Sequence, residues 1–140
     1  GKPPVLISAS AVGYYGDVPE GEVDETRPRG EGFLASLCEK WEREASRAEE
    51  FGTRVVSLRI GIVLDRSGGA LSKMLPPFRY FLGGPLGSGR QWFPWVHMED
   101  VVQTILFALE NPHLAGPVNV VAPEPCRMPT NGPSVTRLPC

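Results

Sequence analysis

Arg54-Val55-Val56-Ser57-Leu58-Arg59-Ile60-Gly61-Ile62-Val63-Leu64 is largely uncharged and rich in β-branched residues, the composition of a strand covered on both faces. Just before it, Phe33, Leu34, Leu37, Cys38, Trp41, Ala45 and Ala48 recur at helical spacing with charges between them, and Gly52 stands where such a helix would end. Further upstream, Pro4-Val5-Leu6-Ile7 runs into Ser8-Ala9-Ser10, a buried strand opening into a small-residue loop. A strand so near the first residue suggests a truncated chain. Downstream, Glu99 and Asp100 suit the positive end of a helix whose stripe is Val102, Ile105, Leu106 and Leu109 and whose stop is Asn111-Pro112. Pro117 to Val121 reads as another strand. Strands alternating with helices in this way build a parallel sheet, so an α/β fold is expected, with residues 4–8, 54–63 and 117–121 as neighbouring parallel strands.

Between these elements the pattern is looser. Residues 13–32 carry Gly13, Gly16, Pro19, Gly21, Pro28, Gly30 and Gly32 among acidic residues and read as a long surface loop. Asp65 to Gly69 reads as a turn. Ala70 to Leu82 has a helical stripe that Pro76-Pro77 must break or kink. Gly83 to Gly89 is a glycine-rich loop, and Gln91 to Val96 a short strand interrupted by Pro94. Beyond Ala122, six residues of Pro or Gly type remove any period of two or of 3.6, so a disordered tail is expected over 125–140.

The 140 residues suffice for one domain, and a net charge of −2 with mixed signs offers no basic stripe for nucleic acid. No apolar stretch approaches the roughly 20 residues that cross a bilayer, so a cytoplasmic protein is expected. Cys38, Cys126 and Cys140 have no metal-ligand spacing and read as reduced thiols. His97, just before a helix, reads as a capping or packing residue, and with no metal partners nearby no metal site is expected.

Chemistry concentrates where the first strand ends, in Ser8-Ala9-Ser10-Ala11-Val12-Gly13-Tyr14-Tyr15-Gly16. In open α/β sheets ligands bind at the carboxyl ends of strands. A Ser hydroxyl there can bond a substrate carbonyl or alcohol, and a Tyr beside a cation can pass a proton. The alternative is that the small residues only let the chain turn and the Tyr rings pack. Trp92, Phe93 and Trp95 can line a substrate pocket, although a core is the more frequent use of such a cluster; Arg90 suits a phosphate or an acidic substrate, and Arg59, among apolar neighbours, suits either that or a buried pairing.

These residues resemble the extended short-chain dehydrogenase/reductases, whose nucleotide-sugar epimerases carry a serine-rich strand end followed by Tyr-Gly. Arg59 to Leu64 looks like the family's next strand, Trp95-Val96-His97-Met98-Glu99-Asp100-Val101-Val102 like its aromatic-Val-His-x-x-Asp-Val signature, and Gly116-Pro117-Val118-Asn119 like its Gly-x-x-Asn strand. The resemblance covers residues 3 to about 124. The doubled Tyr, the helix Phe-Leu-x-x-Leu-Cys-x-x-Trp-Glu and the run from Gly83 to Trp95 are most similar to an atypical branch described as epimerase-like NADP-dependent oxidoreductases, some bacterial members of which carry a cell-division-inhibitor label.

The resemblance implies a partial Rossmann-type doubly wound parallel sheet, its first βαβ half absent, with part of a small substrate domain, over residues 1–124. It implies NADP as cofactor, a small carbonyl or hydroxyl substrate, and room for a homodimer. Ser10 matches the active-site Ser/Thr and Tyr14 is the nearest phenol. Ser8, Ala9, Gly61 and Ile62 fall at the nicotinamide end, and Tyr15, Arg90 and Trp92 toward substrate. Two departures stand against this. Aligning the family's helical Glu with Glu42 puts Leu34 and Cys38 where its Tyr and Lys belong, and Lys40 is turned about 200° from Cys38's face. The Gly-x-x-Gly-x-x-Gly turn that holds pyrophosphate is absent from the chain, and Gly83, Gly84, Gly87 and Gly89 do not replace it. Three readings follow: an oxidoreductase or epimerase-like enzyme when complete, a non-catalytic NADP-binding regulator, or an inactive truncated product.

Overall fold

The computed structural model describes residues 1–18, 21–65, 92–123 and 126–127. Its centre is a three-stranded parallel sheet in the order β1 (Val5–Ala11), β2 (Arg54–Ile60), β6 (Gly116–Val120). The register runs from Val5 opposite Arg54 to Ala11 opposite Ile60, and from Val56 opposite Gly116 to Ile60 opposite Val120. The expected parallel neighbours are therefore found. β2 lies between the other two, which is why Val55 through Leu58 are all buried.

Helix α1 (Phe33–Ser46) returns the chain from β1 to β2. It tightens into a 3₁₀ turn over Arg47–Phe51 and stops at Gly52, whose left-handed φ of 79° lets its N–H bond the Glu49 carbonyl at 2.8 Å. A second helix, α2 (Met98–Glu110), leads to β6. Arg54 ties β2 to the end of α2, its guanidinium donating to the carbonyls of Ala108 at 3.0 Å and Leu114 at 2.6 Å. The Ala108 carbonyl is one of those a helix end leaves without an internal partner.

Side chains alternate across the sheet. Val56, Leu58 and Val120 point one way and pack with Val96, Val101 and Ala108, supported by Ile7, Ile60 and Val118. At about 1.5–3 kcal/mol for each large apolar side chain taken from water, this face supplies most of the cohesion. The other face looks at α1, with Ala35 and Cys38 buried there.

The sequence reads 54–64 as one strand, but the structure divides it. At Gly61 the chain leaves β6, its N–H bonding the Val120 carbonyl at 3.0 Å, and Ile62 then bonds the Pro94 carbonyl at 2.7 Å. From there β3 (Ile62–Leu64) pairs in parallel with β5 (Trp95–His97). A Cβ at residue 61 would press on the Pro94 carbonyl, so the change of partner needs a glycine. Pro94 interrupts the next stretch as expected, separating β5 from β4 (Trp92–Phe93). The beginning of the Pro-rich tail is paired: β7 (Cys126–Arg127) lies antiparallel to β4. The expected turn at 66–69, the kinked helix over 70–82 and the loop over 83–89 lie outside the described residues.

Candidate functional site

Because the strands are in register, Ser10, Arg59 and Asn119 form one row across β1, β2 and β6. The row lies near the carboxyl ends of three parallel strands, where an open α/β sheet presents ligands. Past Ala11 the chain tightens into a 3₁₀ turn over Val12–Tyr15 and leaves it at Gly16, φ 66°. The Tyr14 carbonyl accepts the Gly30 N–H at 3.0 Å. The turn brings both phenol rings over the row.

Arg59 organises what meets there. It is 3% exposed, and a buried guanidinium must find partners for its N–H groups. Nε and Nη2 donate to Oε1 and Oε2 of Glu42, each at 2.8 Å, and Nη1 donates to the Tyr15 hydroxyl at 2.8 Å. Burial alone would depress the guanidinium's pKa, but the Glu42 carboxylate and the Tyr15 oxygen together raise it above its ordinary value. The group is therefore a permanent cation. Its carbon lies 3.5 Å from the centre of the Tyr14 ring and 5.0 Å from that of Tyr15. The two rings meet edge to face at 84°, 5.4 Å apart.

Two of the three hydroxyls at the site have fixed partners. Ser10 donates to Glu42 Oε1 at 2.7 Å; its proton is committed, so toward a ligand its oxygen acts as an acceptor. The Tyr15 hydroxyl accepts from Arg59 and donates to Asn119 Oδ1 at 2.7 Å. Asn119 is held in turn, its N–H donating to Glu25 at 2.7 Å and its amide to the Val23 carbonyl at 3.4 Å. The Tyr14 hydroxyl alone of the three has no hydrogen-bond partner among the described residues.

Of the residues singled out in the sequence, Ser10, Tyr14 and Tyr15 are brought together, and Tyr15 is buried. Ser8 and Ala9 lie nearby but apart from this network, lining a shallow cavity of about 460 Å³ between β1 and α1 with Leu6, Trp41, Glu44 and Ala45. Gly61 and Ile62 sit just past Ile60, their backbone N–H groups already bonded to the carbonyls of Val120 and Pro94. Arg90 lies outside the described residues, and of Trp92 the structure gives its place in β4. Leu34 is half exposed and rests where a side chain on Gly13 would be, whereas Cys38 is fully buried. Among the described residues no cluster of His, Cys, Asp or Glu could hold a metal ion.

Glu42 and Asn119 are the members that the sequence alone did not assign to a site. A signal for Glu42 was present: an Arg among apolar strand residues must find acceptors when buried, a carboxylate among them, and Leu34, Cys38 and Glu42, spaced four apart, share one helix stripe.

Comparison with known proteins gives the same lineage. The model of the NAD dependent epimerase/dehydratase family matches residues 2–121. A chloroplastic epimerase family protein of Arabidopsis thaliana, a homolog of SDR39U1, is 50% identical over 127 residues, which are 91% of this chain and 36% of the relative. The nucleoside-diphosphate sugar epimerase of Corynebacterium glutamicum is similar with a TM-score of 0.78 and 37% identity, over 89% of this chain and 27% of that one. Human SDR39U1, isoform 2, solved with NADPH, is similar with a TM-score of 0.76 and 42% identity, over 87% of this chain and 41% of that one. The chain thus spans less than half the length of each.

Proposed function

The chain belongs to the NAD dependent epimerase/dehydratase family, and from that premise we propose that the full-length protein is an NADP-dependent, epimerase-like oxidoreductase of a small carbonyl or hydroxyl substrate, with Tyr14 as its proton-bearing group. The observation that carries this is the contrast between phenols: Tyr15 is bonded on both sides, while Tyr14 is backed by a cation and has its hydroxyl free of partners among the described residues. NADP is favoured as cofactor because the human relative was solved with NADPH.

The described residues suit the nicotinamide end of such a cofactor. Ala9 is exposed and Ser8 half-buried at the end of β1, small and uncharged as a neutral ring requires. They do not suit its pyrophosphate, since no described strand passes through a glycine-rich turn into an α-helix. Bound NADPH would supply the reducing equivalent. Tyr14 Oη would give its proton to the substrate oxygen and regain one from solvent, while Ser10 Oγ would accept a bond from a substrate hydroxyl.

In the full-length protein, Tyr14→Phe should lower turnover about a hundredfold or more with NADPH affinity nearly unchanged, as loss of a general acid does. Ser10→Ala should cost less, about the worth of one hydrogen bond. Full turnover by the Phe variant would end the assignment. The 140-residue chain by itself should not bind NADPH with useful affinity; micromolar binding by calorimetry would contradict this. A second reading, an NADP-binding regulator without catalysis, is favoured by the burial of Cys38 where the family's Lys would stand. It becomes the better one if no carbonyl substrate turns over.

A further inference from the structure

The Glu42–Arg59 pair touches all three hydroxyl residues of the site: Ser10 through Glu42 Oε1, Tyr15 through Arg59 Nη1, and Tyr14 through the face of the guanidinium. A guanidinium is planar, and bonds from Nε, Nη1 and Nη2 to fixed acceptors leave that plane no freedom to tilt. Glu42 is anchored on α1 and Arg59 on β2, so the plane is set by the helix and the sheet together. Tyr14, by contrast, stands on a short 3₁₀ turn, an element with little stiffness of its own. We propose that the Glu42–Arg59 pair is the positioning device of the site, a rigid charged platform that fixes the ring of Tyr14, and through the same carboxylate the hydroxyl of Ser10, for proton transfer. This rests on the reading of Tyr14 as the proton-bearing group.

Other uses of the pair fit less well. It is no anion site, because Glu42 neutralises the cation at 2.8 Å and all three guanidinium nitrogens are engaged. A stabilising role alone would not require the guanidinium face to lie 3.5 Å from a second aromatic ring. Misplacing a reacting group by about 1 Å can lower a rate about a hundredfold, so a platform of this kind acts on turnover more than on affinity.

Arg59→Lys tests the proposal, because an ammonium keeps the charge but offers neither a flat face nor three coplanar donors. Two measurements are made on full-length protein. With ring-labelled tyrosine, and Tyr14 assigned through Tyr14→Phe, nuclear magnetic resonance should show separate signals for the two sides of the Tyr14 ring in the parent and averaged signals in Arg59→Lys. In steady-state kinetics kcat should fall about tenfold or more, with KM and NADPH affinity changed less than about twofold. Should Arg59→Lys not fold, Glu42→Gln, which keeps the side chain's shape but loses an acceptor for Nη2, should move both readouts in the same direction.

A folded variant with the Tyr14 ring signals of the parent overturns the platform, whatever its turnover. A freed ring with unchanged kcat overturns it as a positioning device. If instead Tyr14→Phe retains full turnover, it is the general-acid reading that fails, and the ring measurement still reports on the platform by itself.

Discussion

The two faces of the three-stranded sheet are finished in opposite ways. Toward α2, Val56, Leu58 and Val120 close against Val96, Val101 and Ala108 with no polar side chain among them. Toward α1, the row Ser10, Arg59, Asn119 is polar throughout, and its groups find one another at 2.7–2.8 Å through Glu42 and Tyr15. Apolar contacts are non-directional and tolerate exchange for groups of similar volume. A buried ion pair is directional and contributes little net stability once its desolvation is counted. The difference teaches a division of labour: the α2 face holds the sheet together, and the α1 face fixes where a few atoms stand.

The comparison breaks most readily at Glu42. Glu42→Ala leaves a buried guanidinium uncompensated and should cost about 3–5 kcal/mol in denaturant unfolding of the full-length protein. Leu58→Ala, on the opposite face, should cost about 3 kcal/mol by the same measurement, through a cavity rather than an orphaned charge. Replacing both partners, as in Glu42→Leu with Arg59→Met, sharpens the contrast: unfolding free energy should return to within about 1 kcal/mol of the parent, while kcat stays lowered by about tenfold or more. Stability and turnover recovering together would show that the α1 face only holds the fold. Tyr15→Phe, which strips Arg59 Nη1 and Asn119 of a shared partner, should cost about 1–3 kcal/mol.

The smallest effect lies in the loop that braces Asn119. Asp24 accepts bonds from the N–H of Thr26 at 2.9 Å and its hydroxyl at 2.5 Å, and these hold its carboxyl below the usual carboxylate value. A pKa depressed by folding stabilises the fold above the unfolded value of 3.8 and loses that contribution as pH falls through the folded value. A carboxyl titration followed by nuclear magnetic resonance should place Asp24 below 3.8, and Thr26→Val should move it back up.

The elements that the sequence disclosed are those specified locally. The stripe from Phe33 to Ala48 and the apolar run from Val55 state their own periods, and their order implies a parallel sheet. Less was legible at Gly61. A glycine inside a strand signals a close approach, but the atom approaching it is the carbonyl of Pro94, far along the chain. The site divides in the same way. Ser10 and Tyr14 announce themselves by chemistry at a strand end, whereas Glu42 and Asn119 join it only through register and helix packing. Charge alone does not set Glu42 apart from Glu39 and Glu44, which pair with exposed Arg29 and Arg47; what sets it apart is its place on the helix stripe of Leu34 and Cys38.

The bond between Tyr15 and Asn119 joins residues 104 positions apart. At roughly 5–20 residues per second of synthesis, Tyr15 leaves the ribosome about 5–20 s before Asn119 does. Arg59 and Glu42 are only 17 positions apart, and β1, α1 and β2 can assemble around them in that interval. The nascent chain would therefore carry a finished ion pair beneath an unfinished phenol, until the emergence of β6 supplies Asn119 and closes the network. A nascent chain stalled with residue 116 still inside the ribosome should leave Tyr14 and Tyr15 accessible to a tyrosine-modifying reagent, and one stalled with residue 123 already outside should have Tyr15 protected.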